Sequence, residues 1–205
     1  LAGVKTSKCV ECCAVALLET GDSLLVFWFI PKVRPFVKEF RTAIDIGCRD
    51  GDFSRPMSKD FTKVEAFDYR KRPGFDTMHN ITHRNIALGD EEKKVKSYSG
   101  VITDKPRKEG TERIVQQKTL DSFDFNMVDL IKIDVEGHEF RVIKGGENTI
   151  KKYSPIIIIE DNGSDEKWGK EIGAIDLLKE MGYEIKAEYK NDLILVRKIW
   201  MNKNS

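Results

Sequence analysis

No sign of charge dominates this sequence: 35 Lys and Arg stand against 34 Asp and Glu, for a formal net charge of +1. A general electrostatic attraction to nucleic acid or anionic lipid is thereby excluded, and partners have to be argued from a site. A membrane-spanning run is also missing. The apolar stretch Cys13–Ile30 is interrupted by Glu19, Gly21 and Asp22, which leaves "LLVFWFI" (Leu24–Ile30) as its unbroken part. A spanning helix needs about 20 such residues. No small-residue cleavage site of a signal peptide follows it; "PKVRP" does. The expectation is a peripheral helix or strand laid against the domain, no stable membrane insertion and a cytoplasmic protein. Cysteine is scarce. Cys9, Cys12 and Cys13 crowd one end and Cys48 stands alone, so C-x-x-C has no second pair. With His79, His83 and His138 far apart, a structural zinc is disfavoured and free thiols in a reducing compartment are expected. Internal repeats and low-complexity tracts are absent. The chain begins on Leu1 rather than Met, as a fragment or processed product would.

What remains is a chain of 205 residues, 40% hydrophobic and 34% charged, long enough for one sizeable α/β core and short for two domains. From Thr42 onward short β-rich runs alternate with helical or loop segments, the pattern of a mainly parallel sheet. The expected strands are 42–47, 63–68, 83–88, 128–134 and 156–160. Helices are expected over 54–61, through Tyr153 with a break near Gly145-Gly146, and over 168–181, stopped by Gly182. The polar 91–118 segment, turn-rich at "DKPRKEG", reads as a hairpin or flap. "YEIKAEY" and "LILVRK" around Asn191-Asp192 read as a C-terminal antiparallel hairpin. Residues 1–41 form an extension, 42–198 the domain and 199–205 a tail.

In an open parallel sheet, ligands bind outside the carboxyl ends of the strands, where strand order reverses. Here those ends carry Asp45 and Gly47, Asp68, Asn85 to Ala87, Asp134, and Glu160-Asp161-Asn162. "DIGCRDG" has the form D-x-G-x-x-x-G, in which Gly47 and Gly51 permit a tight turn and close approach of a ligand. Asp68 lies where a carboxylate accepts both hydroxyls of an adenosine ribose. The turn lacks the G-x-G-x-x-G that cradles pyrophosphate, and Asp45 repels phosphate while attracting an ammonium. S-adenosylmethionine combines a ribose with an ammonium and carries no phosphate.

"AIDIGCRDGDFS", "VEAFD", "NIALGD", "TLDSF" and "LIKIDVEGHEFRVIKGGENTI…SPIIIIE", in that order, resemble the FkbM-type methyltransferases over about Thr42 to Arg197. The resemblance implies a class I methyltransferase fold, a Rossmann-like α/β three-layer sandwich around a mainly parallel seven-stranded sheet with its C-terminal antiparallel hairpin. It implies S-adenosylmethionine as donor and O-methylation of a hydroxyl on a sugar, glycan or natural product. Asp45, Gly47 and Gly51 would hold the methionine part, Asp68 the ribose, and the backbone near Ala87 would lie by the adenine. Two departures stand out. The strand-two acid, commonly Glu in the family, is Asp68 followed by "YRKRP". The turn, commonly small or amide-bearing, holds "CRD", whose Arg49 could pair with Asp68 or meet the ligand's carboxylate.

The run "DLIKIDVEGHEF" delivers Asp134, Glu136 and His138 at the end of a buried strand, beside the expected methyl. Any of the three could take the acceptor's proton; His138 titrates nearest neutrality, and the acids could instead hold substrate hydroxyls. Glu136 could equally cap the following helix, and His138 could hydrogen-bond a neighbouring loop. Asp134, Glu160, Asp161 and Asn162 are oxygen ligands of the kind Mg²⁺ prefers, but orienting sugar hydroxyls is the favoured role and no metal is assigned. A small-molecule or glycan acceptor is the expected partner. The alternatives are an NAD-dependent or nucleotide-sugar oxidoreductase on a similar sheet, and a degenerate methyltransferase-like binding module.

Overall fold

The computed structural model describes residues 31–71, 74–75, 78–98, 100–103, 111–161 and 173–198. Expectations for the segment 1–30, its cysteines, the flap tip 104–110, the 162–172 stretch and the tail fall outside the described residues.

The central sheet is built from β1 (Thr42–Ile46), β2 (Lys63–Phe67), β3 (Ile81–Arg84), β8 (Leu130–Ile133), β9 (Ile156–Glu160), β10 (Tyr183–Tyr189) and β11 (Asp192–Arg197). Its order is β10-β11-β9-β8-β1-β2-β3, with β11 antiparallel to both its neighbours and every other pairing parallel. A seven-stranded α/β sheet with a C-terminal antiparallel hairpin is therefore present, as expected. The chain moves from β1 outward to β3, then returns to the other side of β1 as β8. That reversal sets a topological switch point between β1 and β8.

Period-two alternation in fully apolar strands buries both faces. Ile44, Ile46, Ile131, Ile133, Ile157 and Ile159 point into one core, while Ala43, Leu130, Ile156 and Ile158 point into the other. Helices α2 (Glu139–Lys144), α3 (Glu147–Tyr153) and α4 (Ala174–Glu180) cover the first face through Val142, Ile143, Ile150 and Leu178. Helix α1 (Ser54–Asp60) covers the second with Met57, joined by Val33 and Val37 from the segment that precedes β1. Each fully buried Ile or Leu contributes roughly 1.5–3 kcal/mol over its exposed state. Three layers result.

The third strand differs from its expected span. The chain pairs with β2 over Ile81–Arg84 and then leaves the sheet, and Ala87–Leu88 forms β4 of a second, four-stranded sheet. Asn85 explains the bend: its amide donates to the carbonyls of Asp68 (3.3 Å) and Tyr69 (2.7 Å), so it satisfies the end of β2 instead of extending the ladder. Arg84 is held on buried Glu65 through Nε–Oε2 at 2.6 Å. The second sheet contains an antiparallel pair, β5 (Lys93–Tyr98) and β7 (Glu112–Lys118), with β6 (Val101–Ile102) beside β5 and β4 beside β7. It stands over the carboxyl ends of the main sheet and walls the cleft there. Among the described residues, no helix is long and apolar enough to cross a membrane.

Candidate active site

A cleft with about 830 Å³ of empty space opens at the switch point. Gly47 and Arg49 from the turn after β1 line it, as do Phe67 to Arg70 after β2, Ile86 to Leu88 around β4, and Asp134 to Glu136 after β8; Gly100 to Ile102 close it from the second sheet. Six of the expected site residues thus share one cavity: Gly47, Arg49, Asp68, Ala87, Asp134 and Glu136.

Gly47 has φ +82°, and a Cβ there would overlap the carbonyl oxygen of Asp134. The two strand ends therefore touch backbone to backbone, an approach only glycine permits. The Gly47 and Cys48 amides both donate to the Phe67 carbonyl, at 2.8 and 3.1 Å, which closes the turn onto β2. Asp68 is 6% exposed. Its Oδ1 accepts from the backbone N–H of Arg70 at 2.8 Å and faces Arg70 Nε at 3.4 Å. Phe67, Ile86, Leu88, Val101 and Ile102 supply the apolar part of the wall.

Arg49 and Glu136 meet across the cleft rim, Nη2 to Oε1 at 3.6 Å. Both are non-glycine residues in left-handed backbone, with φ 44° and 56°. Asp134 accepts a hydrogen bond from Lys132 Nζ at 3.0 Å. That ammonium is itself buried, over the ring of Phe53, and lies 3.8 Å from Asp45 Oδ1.

Three expected site residues lie elsewhere. Asp45 is fully buried and does not line the cleft: its Oδ2 accepts from Ser54 Oγ at 2.5 Å and its other oxygen faces Lys132. Burial pushes its carboxyl up, with Lys132 and Ser54 opposing. Burial would pull the Lys132 ammonium down, but Asp45 and Asp134 outweigh it and hold it above the ordinary value. Asp45 reaches the cleft only through Lys132. Gly51 (φ +88°) packs against the Phe75 ring and shapes the entry to α1 rather than the cavity. His138 lies behind the cleft, buried, with Nε2 2.9 Å from Gln117 Oε1. Gln117 donates its amide to the Glu91 carbonyl at 2.9 Å, which fixes the amide orientation and makes His138 Nε2 the donor. His138 does not line the cleft, and its Nε2 is engaged by Gln117.

Sequence reasoning missed two residues of this machinery. Lys132 hides inside an apolar strand, where a charge is noticed only as an oddity. Glu139 is buried and accepts from the amides of Val135 (3.2 Å) and Gly137 (3.1 Å), so it holds the loop that presents Glu136. Beyond Asp134 the strand ends stay acidic. Glu160 pairs in register with Asp192, the first residue of β11. Burial, then Asp134 and Glu136, raise Glu160 to about 7, and burial, then Asp134, raise Asp192 to about 6. Among the described residues, no three His, Cys, Asp or Glu side chains are grouped to hold a metal ion.

This geometry suits a nucleoside with a charged tail: a flat base on the apolar wall, vicinal hydroxyls at Asp68, and a tail along Gly47 toward Asp134. Among the described residues, two cations line the cleft, Arg49 and Arg70, and each faces a carboxylate.

Residues 34–185 match the Methyltransferase FkbM domain family. The chain belongs to that family, within the S-adenosylmethionine-dependent class. Among solved structures, the methyltransferase FkbM of Methylobacillus flagellatus KT is similar at 16% identity and TM-score 0.52, over 79% of this chain and 45% of that one. The chain thus spans less than half the length of that relative. SMU.1697c of Streptococcus mutans, in complex with SAH, is similar at 11% identity and TM-score 0.49, over 81% and 94% of the two chains. A TehB-like SAM-dependent methyltransferase of Corynebacterium glutamicum is similar at 11% identity and TM-score 0.46, over 92% and 95%. The fold is that of the class I methyltransferases. No curated protein matches the chain.

Proposed function

We propose that this FkbM-family protein transfers a methyl group from S-adenosylmethionine to a hydroxyl of a sugar, glycan or related small molecule, in the cytoplasm. The convergence of Gly47, Asp68 and Asp134 on one cleft at the switch point carries the reading. Asp68 binds the ribose hydroxyls, the Ala87 strand and Phe67 flank the adenine, and the Gly47 turn and Arg49 receive the methionine part. When bound, the donor supplies a methyl on a cationic sulfur; transfer forms a C–O bond, breaks the C–S bond and releases the hydroxyl proton. Asp134 and Glu136 stand where that hydroxyl would enter.

Asp134 is the better base. Lys132 holds one of its oxygens, which fixes the carboxylate at the cleft wall. Positioned bases contribute typically about 10²–10⁴-fold, and alignment of the hydroxyl supplies much of the rest. Acceptor hydroxyls also need acceptors of hydrogen bonds, and the carboxylates of Asp134 and Glu136 at this rim supply them.

Isothermal titration with S-adenosylmethionine, S-adenosylhomocysteine and NAD tests the donor. Binding of both sulfur nucleosides and not of NAD is expected. NAD binding alone would move the protein to the oxidoreductases, and binding of none would make it a module that has lost its cofactor. Incubation with labelled donor and a panel of sugars, glycans and phenols then tests the O-methyl assignment; label transferred only to amines or carbon would overturn it.

A further inference from the structure

We propose that Arg49 exchanges partners when the donor binds, leaving Glu136 for the donor's α-carboxylate, and that this exchange makes Glu136 available to the acceptor only after the donor is in place. The inference rests on the donor reading above and adds a recognition step and an order of binding to it. Of the two cations that line the cleft among the described residues, Arg70 faces Asp68 at the ribose end, and Arg49 stands in the turn that Gly47 opens.

The observations at the rim fit an exchangeable contact and not a structural one. Arg49 and Glu136 come from different loops, after β1 and after β8, and both adopt left-handed backbone that favours glycine. Evolution of stability alone would place glycine there, as at Gly47, Gly51 and Gly137, which also have positive φ. What the strained residues gain is a single 3.6 Å approach, too long for a good hydrogen bond, between side chains 59% and 47% exposed. Exposed pairs of this kind are weak and break cheaply. A carboxylate lying along the Gly47 turn offers the guanidinium a bidentate, charge-assisted alternative. Once Arg49 turns to it, Glu136 is left uncompensated at the rim, held in place from behind by the Glu139 clasp on Val135 and Gly137. An incoming hydroxyl then finds a free carboxylate.

Two ligands with the same nucleoside and thioether separate the carboxylate from the rest: S-adenosylhomocysteine carries the amino-acid tail, and 5′-methylthioadenosine lacks it. Glu136→Gln removes the competitor and should tighten S-adenosylhomocysteine about two- to fivefold, the scale of an exposed pair, with methylthioadenosine unchanged. Arg49→Gln should weaken S-adenosylhomocysteine about tenfold or more and leave methylthioadenosine alone. In the Arg49→Gln background, Glu136→Gln should have no effect on either ligand. If wild-type protein binds S-adenosylhomocysteine but Glu136→Gln leaves it unchanged, shifts both ligands alike, or keeps its effect without Arg49, the exchange is refuted and the donor assignment stands. Failure of wild-type protein to bind either ligand overturns both.

Discussion

Lys132 and Asp134 are two positions apart on β8, and the ammonium of the first donates to the carboxylate of the second at 3.0 Å. One residue is buried and the other lines the cleft, so the pair couples the core of the sheet to the site. The same ammonium neutralises Asp45, which has no exposure at all. Removing one partner of a buried pair leaves the other charge uncompensated and costs about 3–5 kcal/mol. Lys132→Met should therefore lower unfolding stability by that order in urea titrations. Combining it with Asp45→Asn should recover part of the loss, because a neutral amide tolerates the site better. Additive losses in the double variant would contradict the coupling.

Glu160 gives the fold a pH dependence with a definite sign. Its carboxyl is raised from the ordinary 4.5 to about 7, first by burial and then by Asp134 and Glu136. The unfolded chain releases this proton at lower pH than the folded one, so stability falls as pH rises between about 4.5 and 7 and stays low above that range. Asp192, raised to about 6, adds to the same trend. Glu160→Gln should raise the melting temperature at pH 8 and give no gain at pH 4. An equal shift at both values would mean that the effect is one of packing.

His138 is a support of the second sheet. Its ring bridges α2 to Gln117 on β7, and Gln117 continues to the Glu91 carbonyl. His138→Ala removes the donor from a buried acceptor and should cost roughly 1–3 kcal/mol, with S-adenosylhomocysteine affinity unchanged. Turnover measured well below the unfolding temperature should fall far less than in Asp134→Asn. A loss in His138→Ala as large as in Asp134→Asn would return the imidazole to the chemistry.

Much of this arrangement is legible along the chain, because short β-rich apolar runs such as "TAIDI" and "IIIIE" form central strands, and the acids after β2 and β8, Asp68 and Asp134, reach the cleft at one edge of the sheet. The same logic misplaced His138. Its neighbours Asp134 and Glu136 face the cleft, but the loop turns at left-handed Glu136 and Gly137 and sends the next side chain behind the wall. A one-residue change of direction of that kind leaves no mark on composition. Asp192 escaped notice because antiparallel pairing of β11 brings it beside Glu160 from 32 positions away. Charge at a strand end points to a ligand group at Asp45, but Lys132, its neighbour in register across β1 and β8, makes its burial tolerable.

Donor binding as proposed depends most on Asp68 gripping the ribose. Calorimetric titration of S-adenosylhomocysteine into wild-type protein and Asp68→Ala tests it directly. The expected result is one site per chain in the wild type and a weakening of well over tenfold in the variant, from the loss of two charge-assisted hydrogen bonds. Equal affinity in the two proteins, with Asp68→Ala still folded, would contradict it.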